Sequence, residues 1–278
     1  MVKAPDVSTE GALSVVRLRL DVAYDGSGFS GWAAQPDRRT VAGELTAALD
    51  RLCGPVSGLT VAGRTDAGVH ATGQVCHVDV AGPFDDSLIR RLAGVLPPDV
   101  RVTAANVVPD SFDARFSALS RRYEYRVTDA PSGGNPLRRH DTLPWPRPLD
   151  VAAMTAASAG LVGEHDFAAY CRRKEHGTTL RRIHRFDWRR EPDGEVVVAT
   201  VEADAFCQAM VRSLVGALLA VGDGRRPVDW PASLLDRPQR ADEVNVVPAH
   251  GLTLVAVAYP PQEAYAARAE VTRRQRSR

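Results

Sequence analysis

The sequence predicts an α+β fold: two ferredoxin-like lobes, each running β-α-β-β-α-β, with largely antiparallel sheets forming a central cleft. Two observations carry this. Segments of period 2 and period 3.6 alternate in the same order in both halves of the chain. The chain, at 278 residues and 44% hydrophobic, is also long and apolar enough for one large core or two modest ones. The boundary is expected near residues 109–118. That gives an N-terminal lobe over 1–110, a C-terminal lobe over 111–262 and a basic tail over 263–278.

In the first half, residues 14–24 alternate as a strand, Leu18-Arg19-Leu20-Asp21-Val22 being its clearest part. A helix follows from Thr40, a suitable N-cap, to about Cys53, with Val41, Leu45, Leu49 and Leu52 as its apolar stripe. Leu59–Ala62 reads as a short strand and Gln74–Val80 as an alternating one. A helix at about 86–94 ends near Gly94, before Pro97-Pro98, and a strand spans Arg101–Val108. In the second half, Arg121–Val127 is a strand and Val151–Val162 a helix closed by Gly163. Ile183–Arg190 and Glu195–Ala203 form a hairpin around Pro192-Asp193-Gly194. Phe206–Val221 is an apolar helix ended by Gly222 and Gly224, and Leu252–Tyr259 is the last strand.

Basic and acidic residues nearly cancel, 35 against 34, so net charge alone identifies no polyanionic partner. Lys3 and Lys174 are the only lysines, so 33 of the 35 are arginine. GC-rich coding accounts for such a bias, and guanidinium forks also suit phosphate. Basic residues cluster at Arg172-Arg173-Lys174, at Arg181-Arg182 with His184 and Arg185, and at Arg273-Arg274, Arg276 and Arg278. Cys53, Cys76, Cys171 and Cys207 are scattered without a C-x-x-C pair, which argues against a zinc site and a disulfide framework and fits a reducing cytosol. Arg17, Arg19 and Asp21 interrupt the N-terminal apolar run, and no segment approaches the ~18 apolar residues of a membrane span. A soluble, cytoplasmic protein is expected.

Gly26-Ser27-Gly28-Phe29-Ser30-Gly31 fits G-x-G-x-x-G after a strand, the pattern of a dinucleotide site. In that site the last glycine opens a helix whose N-terminus holds the pyrophosphate. Here Pro36 intervenes and the helix begins only at Thr40. The acidic residues about 20 positions on, Glu44 and Asp50, fall inside that helix instead of ending the next strand. The loop is better read as a strand-end turn whose glycines supply positive φ. Phe29 and Trp32 would pack or stack there, and Arg38 and Arg39 would be available to phosphate.

Ala62-Gly63-Arg64-Thr65-Asp66-Ala67-Gly68-Val69-His70-Ala71-Thr72-Gly73-Gln74 joins two predicted strands. Its small residues let a large ligand approach closely, and Asp66 stands in the middle. Aspartate in a loop commonly caps its own turn, the reading that the residue alone favours. On the Phe206–Val221 helix, Met210, Leu214 and Leu218 share the core side. Arg212 lies about 200° around from Met210, the place of an exposed arginine. Tyr123 and Tyr125 alternate onto one strand face, which fits core packing.

"AGRTDAGVHATGQV" closely resembles the signature loop of the tRNA pseudouridine synthase A family. The resemblance continues, in order and spacing, through "YDGSGFSGWAAQP", "TVAGELTAALDRL", "DARFSALSRRYEYRV", "GEHDFAAYC", "FCQAMVRSLVGALLAVG" and "GLTLVAVAYP". It implies that Asp66 is the catalytic aspartate, as nucleophile or as base, and that Arg212 pairs with it. Tyr123 is implied to stack on the target base and assist proton transfer, and Arg64 to fill the gap left by the flipped base. Phe206 packs under the site, while His70 and Gln74 serve in loop hydrogen bonding or substrate binding. The implied reaction is isomerisation of uridine to pseudouridine at tRNA positions 38, 39 and 40 in the anticodon arm. It involves no cofactor and no metal, and the implied enzyme is a homodimer with tRNA across a basic cleft. An inactive RNA-binding relative is the rival, opposed by intact Asp66, Tyr123 and Arg212. Two positions depart from the family pattern: Ala33 where "GWQxQ" is usual, and Thr253 where an aromatic is common.

Overall fold

A computed structural model describes residues 15–276 apart from 82–84, 86, 173–177 and 193. Arg173 and Lys174 of the first basic cluster, Asp193 of the expected hairpin turn, and Arg278 lie outside these described residues.

Strand β1 (Val15–Tyr24) buries Leu18, Leu20, Val22 and Tyr24, every second residue facing the core as strand geometry requires. Helix α1 (Val41–Cys53) starts after Thr40, whose Oγ1 accepts from the Gly43 amide at 3.2 Å. That bond satisfies one of the N–H groups a first turn leaves unpaired. β2 (Ser57–Val61), β3 (His70–Ala81), α2 (Leu88–Val95) and β4 (Val100–Val108) complete the first half. The second half runs β5 (Ser120–Thr128), a two-residue β6 (Leu143–Pro144), α3 (Val151–Ala159), β7 (Gly163–Asp166), β8 (Leu180–Arg190) and β9 (Val196–Ala203). It ends with α4 (Met210–Gly222), α5 (Trp230–Ser233), β10 (Leu252–Ala258) and α6 (Tyr265–Arg276).

Several of these differ from expectation. α3 stops at Ala159, and Gly163 opens β7 instead of closing the helix. α4 begins at Met210 because Ala209 adopts a left-handed φ of 63°, which interrupts the helical path, so Phe206 lies in a loop. The residues expected as a basic tail form helix α6. It docks through Tyr265, whose ring lies 5.0 Å from that of Phe112 and 6.5 Å from that of Tyr259, centroid to centroid. One aromatic anchor of this kind contributes about 2 kcal/mol or more when buried.

The largest correction concerns the sheet. Instead of two sheets facing a cleft, all strands among the described residues belong to one, ordered β4-β1-β3-β10-β5-β9-β8-β7, with β2 also paired to β3 and β6 to β5. The join is β10. It runs antiparallel to β5, and its start lies parallel to β3 through Thr253 opposite His70 and Leu254 opposite Ala71. The main apolar cluster accordingly runs through both halves, from Leu18 to Leu254. Most pairings are antiparallel, the β3–β10 and β5–β6 contacts being the parallel ones. The join brings the β2–β3 loop, β5 and the start of α4 to one place.

A second correction concerns the cysteines. Cys171 and Cys207, 36 residues apart, are joined as a disulfide with Cα atoms 5.7 Å apart. Their segments are held side by side by the Arg172 amide, which donates to the Gln208 carbonyl at 3.0 Å. Cys53 and Cys76 are free. No helix among the described residues is long and apolar enough to cross a membrane.

Candidate active site

Asp66 lies in the loop between β2 and β3, and that loop is fixed through its backbone and its neighbours, leaving the carboxylate partly open. The Gln74 amide group donates to Gly63 O at 2.9 Å and to the Tyr24 hydroxyl at 3.2 Å. Tyr24 and Thr65 share a hydroxyl–hydroxyl bond of 2.8 Å, and the Trp32 amide donates to Thr65 O at 3.1 Å. Gly26 N–H donates to His70 Nδ1 at 3.0 Å, and His70 Nε2 faces the carbonyls of His140 and His250 at 2.7 and 3.0 Å. Gln74 is fully buried and His70 nearly so, so both hold the loop and stand back from any substrate. Satisfied buried polar groups of this kind fix one conformation, because each loses water that only its partner replaces.

The glycine-rich stretch serves the same loop. Gly31, at φ 95°, lies so close that a Cβ on it would stand 2.9 Å from Thr65 O and 3.2 Å from Ala67 N. A Cβ on Gly26 would collide with the Val69 carbonyl. What approaches these glycines is the chain's own backbone. Only Gly31 of the three fingerprint glycines has positive φ. Trp32, at 3% exposure, is a core residue packed 5.9 Å from the Tyr24 ring, and Phe29 is also buried. Neither is offered to RNA. Arg39 is committed as well: it forms ion pairs with Asp99 and Glu44 at 2.7 Å each and covers the Phe29 ring. Arg38 and Arg64 are exposed, and their guanidinium groups have no partner among the described residues.

Three further elements lie around the Asp66 loop. α4 presents Arg212, whose Nη1 is 3.9 Å from Asp66 Oδ2 while its Nε donates to Val247 O at 2.7 Å. The helical phase does put Met210, Leu214 and Leu218 in the core, with Arg212 on the other side. The segment before β10 supports both partners: Tyr125 donates to Pro248 O at 2.7 Å, and the Ala249 methyl packs 3.2 Å from where a Cβ on Gly68 would stand. β5 supplies Tyr123, buried at 7% exposure on the same face as Tyr125. The Phe206 ring meets Tyr123 edge-on, centroids 5.3 Å apart at 88°, a favourable arrangement of ring quadrupoles.

The carboxylate is more open than a closed pocket would make it. The side chain of Asp66 is 37% exposed and that of Arg212 21%. At 3.9 Å their attraction is coulombic, about 1 kcal/mol in water-like surroundings, and it strengthens as water is excluded. Burial pushes the Tyr123 hydroxyl well above the ordinary tyrosine value, the charges of Tyr24 and Asp66 adding to the shift and Arg121 opposing it. At neutral pH Tyr123 is a neutral phenol, and its burial makes the hydroxyl a weaker acid than an ordinary tyrosine's.

Sequence reading did not single out Tyr24, Thr65 or the Val247–His250 segment. Tyr24 ends an alternating strand as any core tyrosine does, and its role shows only through its two partners. Among the described residues, part of the positive charge of the basic clusters is paired within the chain. Arg182 pairs with Glu164, Arg185 with Asp187 and Arg273 with Asp113.

A family model described as tRNA pseudouridine synthase matches residues 157–260. A tRNA pseudouridine synthase A of Frankia casuarinae is 62% identical over 261 residues, spanning 93% of this chain and 95% of that one. The tRNA pseudouridine synthase A of Streptomyces griseus subsp. griseus is 53% identical over 277 residues, spanning 98% of each. A solved Cbf5-Nop10-Gar1 complex overlays with a TM-score of 0.33 and 14% identity, over 73% of this chain and 45% of that one, too slight a likeness to bear on the fold.

Proposed function

This chain belongs to the tRNA pseudouridine synthase A family, and from that premise we propose that Asp66 carries its reaction. The enzyme is an isomerase that converts uridine in tRNA to pseudouridine. The C1′–N1 bond of uridine breaks, the base turns, and C1′ joins C5. The C5 proton leaves and N1 ends protonated, so atoms balance without a redox step.

The observation that carries the reading is the approach of Arg212 to Asp66 from a separate element, with Tyr123 near enough for the Asp66 charge to act on its hydroxyl. The Asp66 carboxylate acts at the sugar, a use of carboxylates general to glycosidic carbons. Arg212 places its guanidinium charge beside that carboxylate. Tyr123 lies under the turning base and supplies a neutral hydroxyl, with Phe206 holding its ring edge-on. Arg64, exposed two residues before Asp66, is the side chain that fills the gap left by the extruded base. Arg38 contacts phosphate, which makes binding salt-dependent.

Family membership supports the finer reading of tRNA positions 38, 39 and 40 in the anticodon arm as targets, of a cytoplasmic homodimer as the working form, and of a reaction free of cofactor and metal. The repeated strand order, β4-β1-β3-β2 in one half and β10-β5-β9-β8 in the other, supports reading the halves as two ferredoxin-like units divided between β4 and β5.

Tritium release from 5-tritiated uridine in transcribed tRNA tests the role of Asp66. The natural chain is expected to release tritium, and Asp66→Asn to be slower by roughly 10²–10⁴-fold or more while still binding tRNA. Equal release by both proteins would remove Asp66 from the reaction.

A further inference from the structure

Arg121 is 4% exposed, and none of its described contacts is to a carboxylate. A buried guanidinium without a counter-ion is costly unless its donors are met. Here carbonyls meet them. Nη2 donates to Ala62 O at 2.7 Å and to Arg115 O at 2.8 Å, and Nη1 to Asp204 O at 2.8 Å. The nearest acid, Asp204, turns its carboxylate elsewhere, accepting from the amides of Arg182 and Ala205.

The three acceptors belong to three different segments. Ala62 is the root of the Asp66 loop, four residues before the carboxylate. Asp204 is the root of the loop that carries Phe206 and leads into α4 and Arg212. Arg115 precedes β5. Arg121 itself is two residues before Tyr123 on the same buried face of β5. One planar fork thus links the roots of both loops that form the site to the strand that carries the tyrosine. A fork has a fixed geometry that a point charge lacks, so it sets the spacing between the roots as well as joining them.

We propose that Arg121 is a positioning residue for the isomerisation: its fork fixes the Asp66 loop against the Phe206 loop and so sets where Asp66 and Tyr123 stand relative to the bound uridine. This rests on the role of Asp66 given above. The positive charge also opposes the effect of burial on the Tyr123 hydroxyl, which is consistent with that place.

The test compares kcat and KM for transcribed tRNA among the natural chain, Arg121→Met, Arg121→Lys and Asp66→Asn. Rates are scaled to the folded fraction from near-ultraviolet circular dichroism, well below each melting temperature. Displacing reacting groups by about 1 Å costs on the order of a hundredfold, so Arg121→Met is expected to lose about that in kcat with KM little changed. Arg121→Lys keeps the charge and up to three donors, and is expected to recover part of the turnover. A merely structural role would lower the melting temperature and leave kcat per folded molecule unmoved. Natural kcat in folded Arg121→Met, or in Arg121→Lys and Arg121→Gln should Arg121→Met not fold, overturns the proposal. Activity in Asp66→Asn would overturn the reading of the site, whatever the Arg121 variants do.

Discussion

The guanidinium of Arg212 is shared between two partners: Nε donates to Val247 O at 2.7 Å, and Nη1 stands 3.9 Å from Asp66 Oδ2. The first bond aims the group and the second contact uses it. A lysine at this position has one charged nitrogen in place of two separated ones, so it reproduces this fixed division only in part. Arg212→Lys is expected to lower kcat by at least about tenfold with smaller change in tRNA affinity, and Arg212→Met to lower it further. Loss of the bond to Val247 costs stability by about 2 kcal/mol, the usual scale for a hydrogen bond to a charged group. Tritium-release kinetics and urea unfolding check the two parts, and an unchanged kcat in Arg212→Lys would show that the contact with Asp66 does not act in turnover.

Tyr123→Phe keeps the ring and its edge-on contact with Phe206 but removes the hydroxyl. Affinity for tRNA should stay within a few fold, while turnover falls by roughly 10²-fold, the lower end for loss of a proton-transfer group. Filter binding beside tritium release separates these. A large loss of affinity with little change in turnover would assign Tyr123 to packing.

Gly26→Ala places a methyl group against the Val69 carbonyl. The clash is with backbone, which cannot rotate away, so the cost should reach about 1–3 kcal/mol, as for overpacking elsewhere. Because Val69 is three residues beyond Asp66, kcat should drop as well. Chemical denaturation and tritium release measure both, and a variant as stable and active as the natural chain would show that the two loops do not depend on this approach.

Burial raises the hydroxyls of Tyr123, Tyr125, Tyr170 and Tyr259, and pushes Tyr24 up to about 12. In the unfolded chain each ionises near pH 10. A folded value above the unfolded one means stability is fully present below pH 10 and is lost as pH rises toward the folded values. Tyr24 alone accounts for roughly 3 kcal/mol across that interval. Urea unfolding at pH 8, 9, 10 and 11 should show a fall that begins at about pH 8.5 with the buried Cys76 thiol and steepens above pH 10, the steeper part being shallower in Tyr24→Phe. Constant stability to pH 11 would contradict the burial of these hydroxyls.

What was legible in the sequence was local. The alternation at Leu18, Leu20 and Val22 gave β1, and Thr40 with its apolar stripe gave α1, because period and capping depend on near neighbours. Asp66 stood out through its loop and the resemblance of the whole chain. Ala209 hid the true start of α4, since a left-handed alanine leaves no mark in composition. The short pairing of β10 with β3 was equally hidden. Helix α6 was missed because its polar sequence becomes helical by docking Tyr265 on Phe112 and Tyr259.

The same division holds at the site. By itself the sequence determined which residue types were present for the chemistry: a carboxylate, a guanidinium and a phenol in family order. Only the tertiary structure decided what each neighbour does. Gly26 and Gly31 accommodate the chain's own Asp66 loop, Trp32 and Gln74 support it from the core, Arg39 is neutralised by Asp99 and Glu44, and Arg121 reaches three carbonyls that lie 59, 6 and 83 residues away. Contacts across such separations are set by how the sheet closes through β10, which no local pattern encodes.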